Sequence, residues 1–425
     1  MPDFPPSIRG EIGRRKGMNT LTFLRENARW LSAGVLLTFL SSFGQTFFIS
    51  IFAGEIRAAF DLSHGEWGGI YTLGTTASAA LMVWAGGLTD RFRVRGLGAI
   101  VLVMLMGACV FMALNPTWWL LPLAIFALRF TGQGMTSHIA AVAMSRWFIV
   151  RRGKALSVAT LGFAAGEAVL PLLFVSLLLV VDWRLLWVVA GVVAVLGIPV
   201  LLLLLRAERT PQSMAQSDQA AGMEARQWTR NQAFRHWLFW FMIPALLGPS
   251  AFSTAFFFHQ VHFADIKGVA HIEFVAIFPF FTGVSILAMV ASGWALDKVG
   301  TARLIPFMQL PMVAAFATFA LAQGVAGLWL GFFFLGLNTG VNTTLPAAFW
   351  AEFYGTRFLG SIKAMAAAVM VLGSAIGPGI TGLGIDLGIG LERQYMAVAG
   401  YFVLTTVLMG IGIARARPLL PARAA

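Results

Sequence analysis

Gly86-Gly87-Leu88-Thr89-Asp90-Arg91 recurs as Gly293-Trp294-Ala295-Leu296-Asp297-Lys298, 207 residues further along the chain. The same offset relates Trp30 to Trp237, Thr75 to Thr282, Gly153 to Gly360, Gly166 to Gly373 and Pro171 to Pro378. One constant offset through so many small, polar and imino residues marks an internal duplication. The duplicated unit is long and apolar, so the chain reads as two copies of one membrane bundle, with any ligand held between them.

Around these two loops the chain is 58% hydrophobic and only 11% charged over 425 residues. So few charges leave too little polar surface for a water-soluble domain. Residues 30–54, 67–89, 185–205 and 274–296 contain no Asp, Glu, Lys or Arg. Each is long enough to cross a hydrocarbon core of about 30 Å, which takes roughly 20 helical residues. Two longer uncharged runs break at turn signals, 96–128 at Asn115-Pro116-Thr117 and 304–351 near Gln323-Gly324 and Gly327.

The sequence therefore predicts an all-α membrane protein of twelve transmembrane helices in two six-helix pseudo-symmetric bundles. The predicted helices are 30–53, 67–89, 97–114, 118–143, 155–180, 185–205, 237–260, 273–296, 304–322, 327–349, 361–385 and 395–414. Short alternating segments of the kind that build membrane β-barrels are absent from the sequence. In domain terms, 1–29 is a polar cytoplasmic tail, 30–205 the first bundle, 206–236 a cytoplasmic linker, 237–414 the second bundle and 415–425 a second cytoplasmic tail.

Charge fixes the expected orientation. With the N-terminus inside, the cytoplasmic segments hold 25 of the 30 basic residues, and the outer loops hold only Arg57, Arg184, Lys267 and Arg393. This asymmetry follows the positive-inside rule and accounts for the net charge of +12 without a nucleic-acid partner. The first apolar span is too long for a signal-peptide core, so it is expected to be retained. Both termini are then cytoplasmic, in what reads as a bacterial inner membrane. Cys109 is the single cysteine, which excludes an intrachain disulfide.

Two parallel repeats of six helices, with a Gly-x-Leu-x-Asp-Arg loop after the second helix, resemble the major facilitator superfamily of secondary transporters. The first loop departs from the family pattern by carrying Arg93 where a glycine is usual, whereas the second keeps Gly300. The resemblance implies an inner gate in which Asp90 faces the start of helix eleven near Lys363. By the repeat, Asp297 faces the start of helix five near Arg152 and Lys154. An anion at either place meets the positive end of a helix dipole. Gly86, Asp90, Arg91, Gly293, Asp297, Lys298 and Lys363 are thus the expected gating residues.

Helix four carries Arg129-Phe130-Thr131-Gly132-Gln133-Gly134, a partial match to the family's helix-four motif with Gln and Gly exchanged. Gly162, Gly166, Glu167 and Pro171 in helix five, and Gly373, Gly377, Pro378, Gly379 and Gly382 in helix eleven, resemble the glycine-and-proline motif of antiporters. Small residues at this spacing let helices approach closely.

Arg129 and Glu167 are the two clearly intramembrane charges. Counted from the predicted helix starts at about 1.5 Å per residue, both lie roughly 16–18 Å deep. Gln45 lies at the same depth in helix one, and Asn338 and Asn342 in helix ten. Helices one, four, seven and ten line the cavity in the family resembled. Gln45, Arg129, Gln133, Glu167, Asn338 and Asn342 are therefore the candidate solute-binding or coupling residues, because intramembrane charge is costly and marks function. Two readings of the charges stay open: an Arg129–Glu167 ion pair that locks helix four to helix five, or an anion site at Arg129 with Glu167 carrying a proton.

His138 is expected to be packed or hydrogen-bonded, and His259, Gln260 and His262 to lie at the outer interface with Glu55 and Arg57. The 14 Trp and 37 Phe are expected mostly at lipid-facing and interfacial positions. The segment from Gly44-Gln45 through Glu55-Ile56-Arg57 to Leu73-Gly74-Thr75 looks like the branch holding oxalate/formate and monocarboxylate transporters. That resemblance implies a small organic anion, and a single central Arg129 suits a monocarboxylate. The expected function is secondary active transport of that anion by alternating access, with protons as the candidate coupling ion and a monomer as the expected state. The alternatives are a proton-driven exporter of a drug-like or sugar-like solute in the same fold and, further off, a non-transporting receptor. No enzyme, cofactor or metal site is expected, since the six His and one Cys are scattered and no GxxxxGK[ST] phosphate loop is present.

Overall fold

The computed structural model describes residues 20–148, 151–207 and 221–420, and among them every regular element is helical. The predicted N-terminal tail lies largely outside the described residues, as does the middle of the linker. Helix α1 runs in two pieces, Ala28–Gly44 and Thr46–Phe60, bent by 47° at Gln45. Then come α2 (His64–Ala85) and α3 (Val94–Leu114), followed by α4, made of Leu121–Leu128, Arg129–Thr136 and Ser137–Trp147. The first half closes with α5 (Arg152–Leu178) and α6 (Trp183–Leu204). The second half holds α7 (Trp237–Phe258), α8 (Phe278–Val299), α9 (Leu310–Leu321), α10 (Gly324–Tyr354), α11 (Leu359–Asp386) and α12 (Leu391–Ala416).

Nine of the described helices are long and apolar enough to cross a membrane as single pieces, and the bent α1 makes a tenth. The other two columns of the twelve are α2, diluted by glycine, threonine and serine, and α4, interrupted at Arg129. Several predicted boundaries move by a few residues, and two of these shifts lie beside the site. The first helix reaches Phe60 rather than residue 53, and α7 stops at Phe258 before a separate short helix, Gln260–Ile266. Glu55 and Arg57 continue the first helix past the uncharged run that sequence reading follows, whereas α7 breaks at His259 (φ −95°, ψ 19°) inside an uncharged run that gives no boundary signal.

Packing repeats as the sequence does. Within the halves, α1 packs on α5, α3 on α6, α8 on α10 and α7 on α11. Between the halves, α2 packs on α11 and α5 on α8, and the 207-residue offset maps one pair onto the other. The α2–α11 contact is much the more extensive.

The expectation for phenylalanine is corrected: 22 of the 37 are buried. Phe256, Phe274, Phe316, Phe319 and Phe332 interlock in the second half, with Phe256 and Phe319 stacked at 4.4 Å. Lipid gives a ring no reason to prefer either side, so space-filling and edge-to-face geometry decide where it goes. Trp118 and Trp119 do remain exposed, at the start of α4.

The described end of the linker rests on the second half. Trp228 is buried, its backbone N–H donates to the Tyr354 carbonyl at 3.1 Å, and the Arg226 guanidinium lies 3.9 Å over its ring. A capping box between Thr229 and Gln232 then starts the helix Arg230–Arg235 that leads into α7.

Candidate functional site

The break in α1 and the interruption in α4 meet. Gln45 has extended backbone (φ −86°, ψ 153°) between two helical pieces, which frees the backbone groups around it. Opposite, Arg129–Thr136 is wound as a π-helix, and the Thr136 hydroxyl closes it on the Thr131 carbonyl at 2.7 Å. Such π-turns inside α-helices recur at functional sites. The two breaks touch through glycines: a Cβ on Gly132 would lie 2.7 Å from both N and Cα of Gly44. Only glycine on both sides allows this approach.

The approach places the freed Gly44 carbonyl against Arg129. The guanidinium is 1% exposed and donates through one Nη to Gly44 O at 3.2 Å and to Thr46 Oγ1 at 3.3 Å. Thr46 Oγ1 also shares a 2.5 Å hydrogen bond with the Tyr71 hydroxyl of α2, and the guanidinium lies 5.4 Å from the centre of the Tyr71 ring. Arg129 Nε is buried without a partner. A buried cation held only by neutral oxygens and a ring face leaves its charge uncompensated, which costs several kcal/mol in a membrane interior.

Glu167 does not supply the missing charge. It and Arg129 form no ion pair, so the locking reading fails on the geometry. Glu167 is half-buried in α5 and reaches toward the Thr282 hydroxyl of α8, across the boundary between the halves. Thr282 Oγ1 is buried and makes no well-formed hydrogen bond, so this contact is a loose one.

The remaining members of the predicted layer separate. Gln45 and Gln133 are half-buried beside the crossing of α1 and α4. Asn338 is 2% exposed and belongs to a network inside the second half. Its Nδ2 donates to Met308 O at 3.0 Å and Gln309 Oε1 at 2.9 Å. Gln309 Nε2 in turn donates to Ala245 O at 2.8 Å, tying α10 through Gln309 to α7. Asn342 donates to Asn338 and also lines a cavity of about 250 Å³ with Ser250, Thr343, Trp350, Lys363 and Met370.

Of the expected gate, Gly86 caps α2, and its carbonyl accepts from His138 Nε2 at 3.2 Å, while Arg146 donates to Thr89 O at 2.8 Å. The loop is thus held by α4. Arg91 is exposed, as is Asp297, and Gly293 has open space around it. Lys298 lies 4.2 Å over the Trp294 ring. The side chains of Asp90 and Arg152 lie outside the described residues.

At the opposite end of the bundle, the halves are stitched by residues the sequence did not single out, together with Gln260, which it placed at the outer interface. The Asp386 carboxylate, at the end of α11, accepts from Ser63 Oγ at 2.7 Å, Gly65 N at 2.8 Å and His64 N at 3.2 Å, at the start of α2. Deeper in, Thr72 Oγ1 donates to Ala375 O at 2.7 Å. Gln260 crosses from the second half to Ser50 Oγ and Phe47 O. The one available signal was departure from the repeat: the positions 207 residues before Gln260 and Asp386 are Ala53 and Leu179.

Residues 34–378 match the family model described as the Major Facilitator Superfamily. No curated protein sequence matches the chain. Among solved structures, the chain is similar to a bacterial homologue of the human lysosomal transporter Spinster in an inward-facing, unoccupied conformation. The TM-score is 0.74 at 15% identity, over 94% of this chain and 99% of that one. It is also similar to the nucleoside transporter NupG, with a TM-score of 0.69 at 15% identity over 91% and 98% of the two chains.

Proposed function

The chain belongs to the Major Facilitator Superfamily of secondary transporters, and from that premise we propose that its solute is a small organic anion of the monocarboxylate class, bound at Arg129. One observation carries this reading: a fully buried guanidinium with no carboxylate partner and a free Nε, at the crossing of two broken helices. An anion there gives the guanidinium an opposite charge, and a carboxylate can pair with it in the bidentate geometry that single neutral oxygens cannot supply. With both termini cytoplasmic, the end sealed by Asp386 faces outward, and the solute meets the cavity lined by Asn342, Thr343 and Lys363 from the cytoplasmic side. Glu167, unpaired and set between α5 and α8, is the proton carrier in this reading.

The same 250 Å³ cavity carries a second reading. Leu246, Pro249, Trp350 and Met370 give it an apolar wall that suits a larger amphipathic solute, exported against protons.

Thermal unfolding of the purified protein with a panel of small organic anions, at two pH values, tests the first reading. A ligand of the folded state raises the melting temperature by mass action. A monocarboxylate that stabilises the wild type and not Arg129→Ala places the site. Stabilisation of equal size in Arg129→Ala sinks it.

A further inference from the structure

Gln260 is wholly buried at the start of the short helix that follows α7, and it reaches out of its own half. Its Nε2 donates to Ser50 Oγ at 2.7 Å and to Phe47 O at 3.3 Å, while its Oε1 is buried without a partner. Ser50 Oγ donates onward to the Thr46 carbonyl at 2.7 Å. Thr46 is also the residue whose hydroxyl accepts from Arg129. Thus the four-residue helix Thr46–Ile49 is held on one side by the guanidinium of the first half and on the other by an amide of the second.

We propose that Gln260 is a positioning residue that couples occupancy of Arg129 to the contact between the two halves. The proposal rests on the anion reading of Arg129. An arriving anion competes for the donors that now hold Gly44 O and Thr46 Oγ1, the two acceptors that flank the break at Gln45. Once they are released, Thr46–Ile49 is tethered through Ser50 and Phe47 to Gln260 alone among the described polar groups of the second half. Movement of the segment then strains or breaks the cross-half bonds, and the sealed end responds to the solute. An unpartnered Oε1 keeps the amide free to turn as its acceptors move, whereas a fully bonded amide resists. A ligand shifts such an equilibrium only through contacts that differ between its two states, and the Arg129–Thr46 bond is such a contact.

Hydrogen–deuterium exchange of full-length protein, with and without saturating acetate or lactate, tests this at two segments, 44–52 and 260–266. In the wild type, the anion is expected to change exchange in both, by about five-fold or more in 260–266, the lower end of ordinary coupling between sites. In Gln260→Leu, the response at 44–52 and the anion-induced thermal shift persist, while the response at 260–266 is lost. Ser50→Ala, which removes one hydroxyl, is expected to do the same and keeps the test open if the leucine variant does not fold. Ser50→Thr, which keeps the hydroxyl, is expected to retain the response. An undiminished response at 260–266 in both Gln260→Leu and Ser50→Ala overturns the coupling role alone. A wild type silent at both segments, with no thermal shift, overturns the anion site and the coupling with it.

Discussion

Arg129 donates to the carbonyl of Gly44, 3.2 Å away on another helix, and leaves Glu167 without a counter-ion. The two intramembrane charges are thus not paired with each other, and the proposed reading gives the cation to a solute and the acid to a proton. If Arg129 is the anion site, Arg129→Lys keeps the charge but loses the planar guanidinium, one Nη of which holds Gly44 and Thr46 while Nε is left without a partner. Arg129→Ala loses both. The alanine variant is expected to weaken anion binding by at least about 2 kcal/mol, roughly thirty-fold, with lysine intermediate. Solute uptake into proteoliposomes checks this, and a lysine variant indistinguishable from wild type would show that the charge alone, without the guanidinium plane, makes the site.

Gly44→Ala tests the crossing itself. The added methyl meets Gln133 N and Gly132 Cα at 2.8 Å and collides with the Leu128 carbonyl, all backbone atoms that side-chain rotation cannot clear. Overpacking of this kind typically costs about 1–3 kcal/mol. A lower melting temperature is expected together with weakened anion binding, since the same shift carries the Gly44 carbonyl off Arg129. A variant with wild-type stability and binding would show that the crossing relaxes freely.

Asp386 sews the end of α11 to the first turn of α2 through three donors, and two of these are backbone N–H groups that no other side chain reaches. Asp386→Ala is expected to destabilise the sealed end and bias the protein toward opening there. Asp386→Asn retains some acceptor capacity and should fall between. Exchange of the 63–68 amides reads the effect directly, and amides as protected in the alanine variant as in wild type would argue that helix packing alone closes this end.

How far the sequence carried this architecture follows from what each signal rests on. Helix number was legible because hydropathy and the 207-residue offset are properties of whole segments; the pairing of α2 with α11 was implied by the family resemblance, and the offset carried it to α8 and α5. Arg129 was legible because a charge amid Leu and Phe is costly in a membrane interior and so stands out. Its partners were not: the Gly44 carbonyl is a backbone group, freed by a break at Gln45 that no proline announces. The Asn338 network was misplaced for a related reason. Depth along a helix can be counted from sequence, but the face presented to Gln309 depends on how α9 and α10 pack. Gln260 was read as an ordinary interfacial residue at the outer end of helix seven, and Asp386, one residue past the predicted helix eleven, was not singled out.

Glu167→Gln separates binding from coupling. Glu167 touches neither Arg129 nor its acceptors, so the variant should bind the anion as wild type does and sustain solute exchange across proteoliposomes with equal pH on both sides. Uphill accumulation driven by a pH gradient is expected to be lost, because glutamine carries no exchangeable charge across the α5–α8 boundary. Accumulation that survives in Glu167→Gln would exclude the residue as proton carrier.

His262 offers a pH readout outside the spans. Its ring centroid lies 4.2 Å from that of His64, and the two line a small cavity with Arg57, His259 and Asp265, while Asp386 stands at the start of α2. Burial, reinforced by Arg57 and opposed by Asp265, holds the His262 imidazole below its ordinary value of 6.5. A base with a depressed pKa favours the sealed arrangement while neutral. That contribution is whole above about pH 6.5 and is lost as pH falls through the lowered value. Acidification from pH 8 to 5 is therefore expected to lower the protection of the 260–266 amides, measured relative to their intrinsic base-catalysed exchange at each pH, with His262→Gln flattening the profile. Asp386 resists the trend by attracting a protonated His64, so Asp386→Asn should steepen it. A wild-type profile flat across that range would mean that Asp265 and Asp386 together neutralise whatever protonation the cluster undergoes.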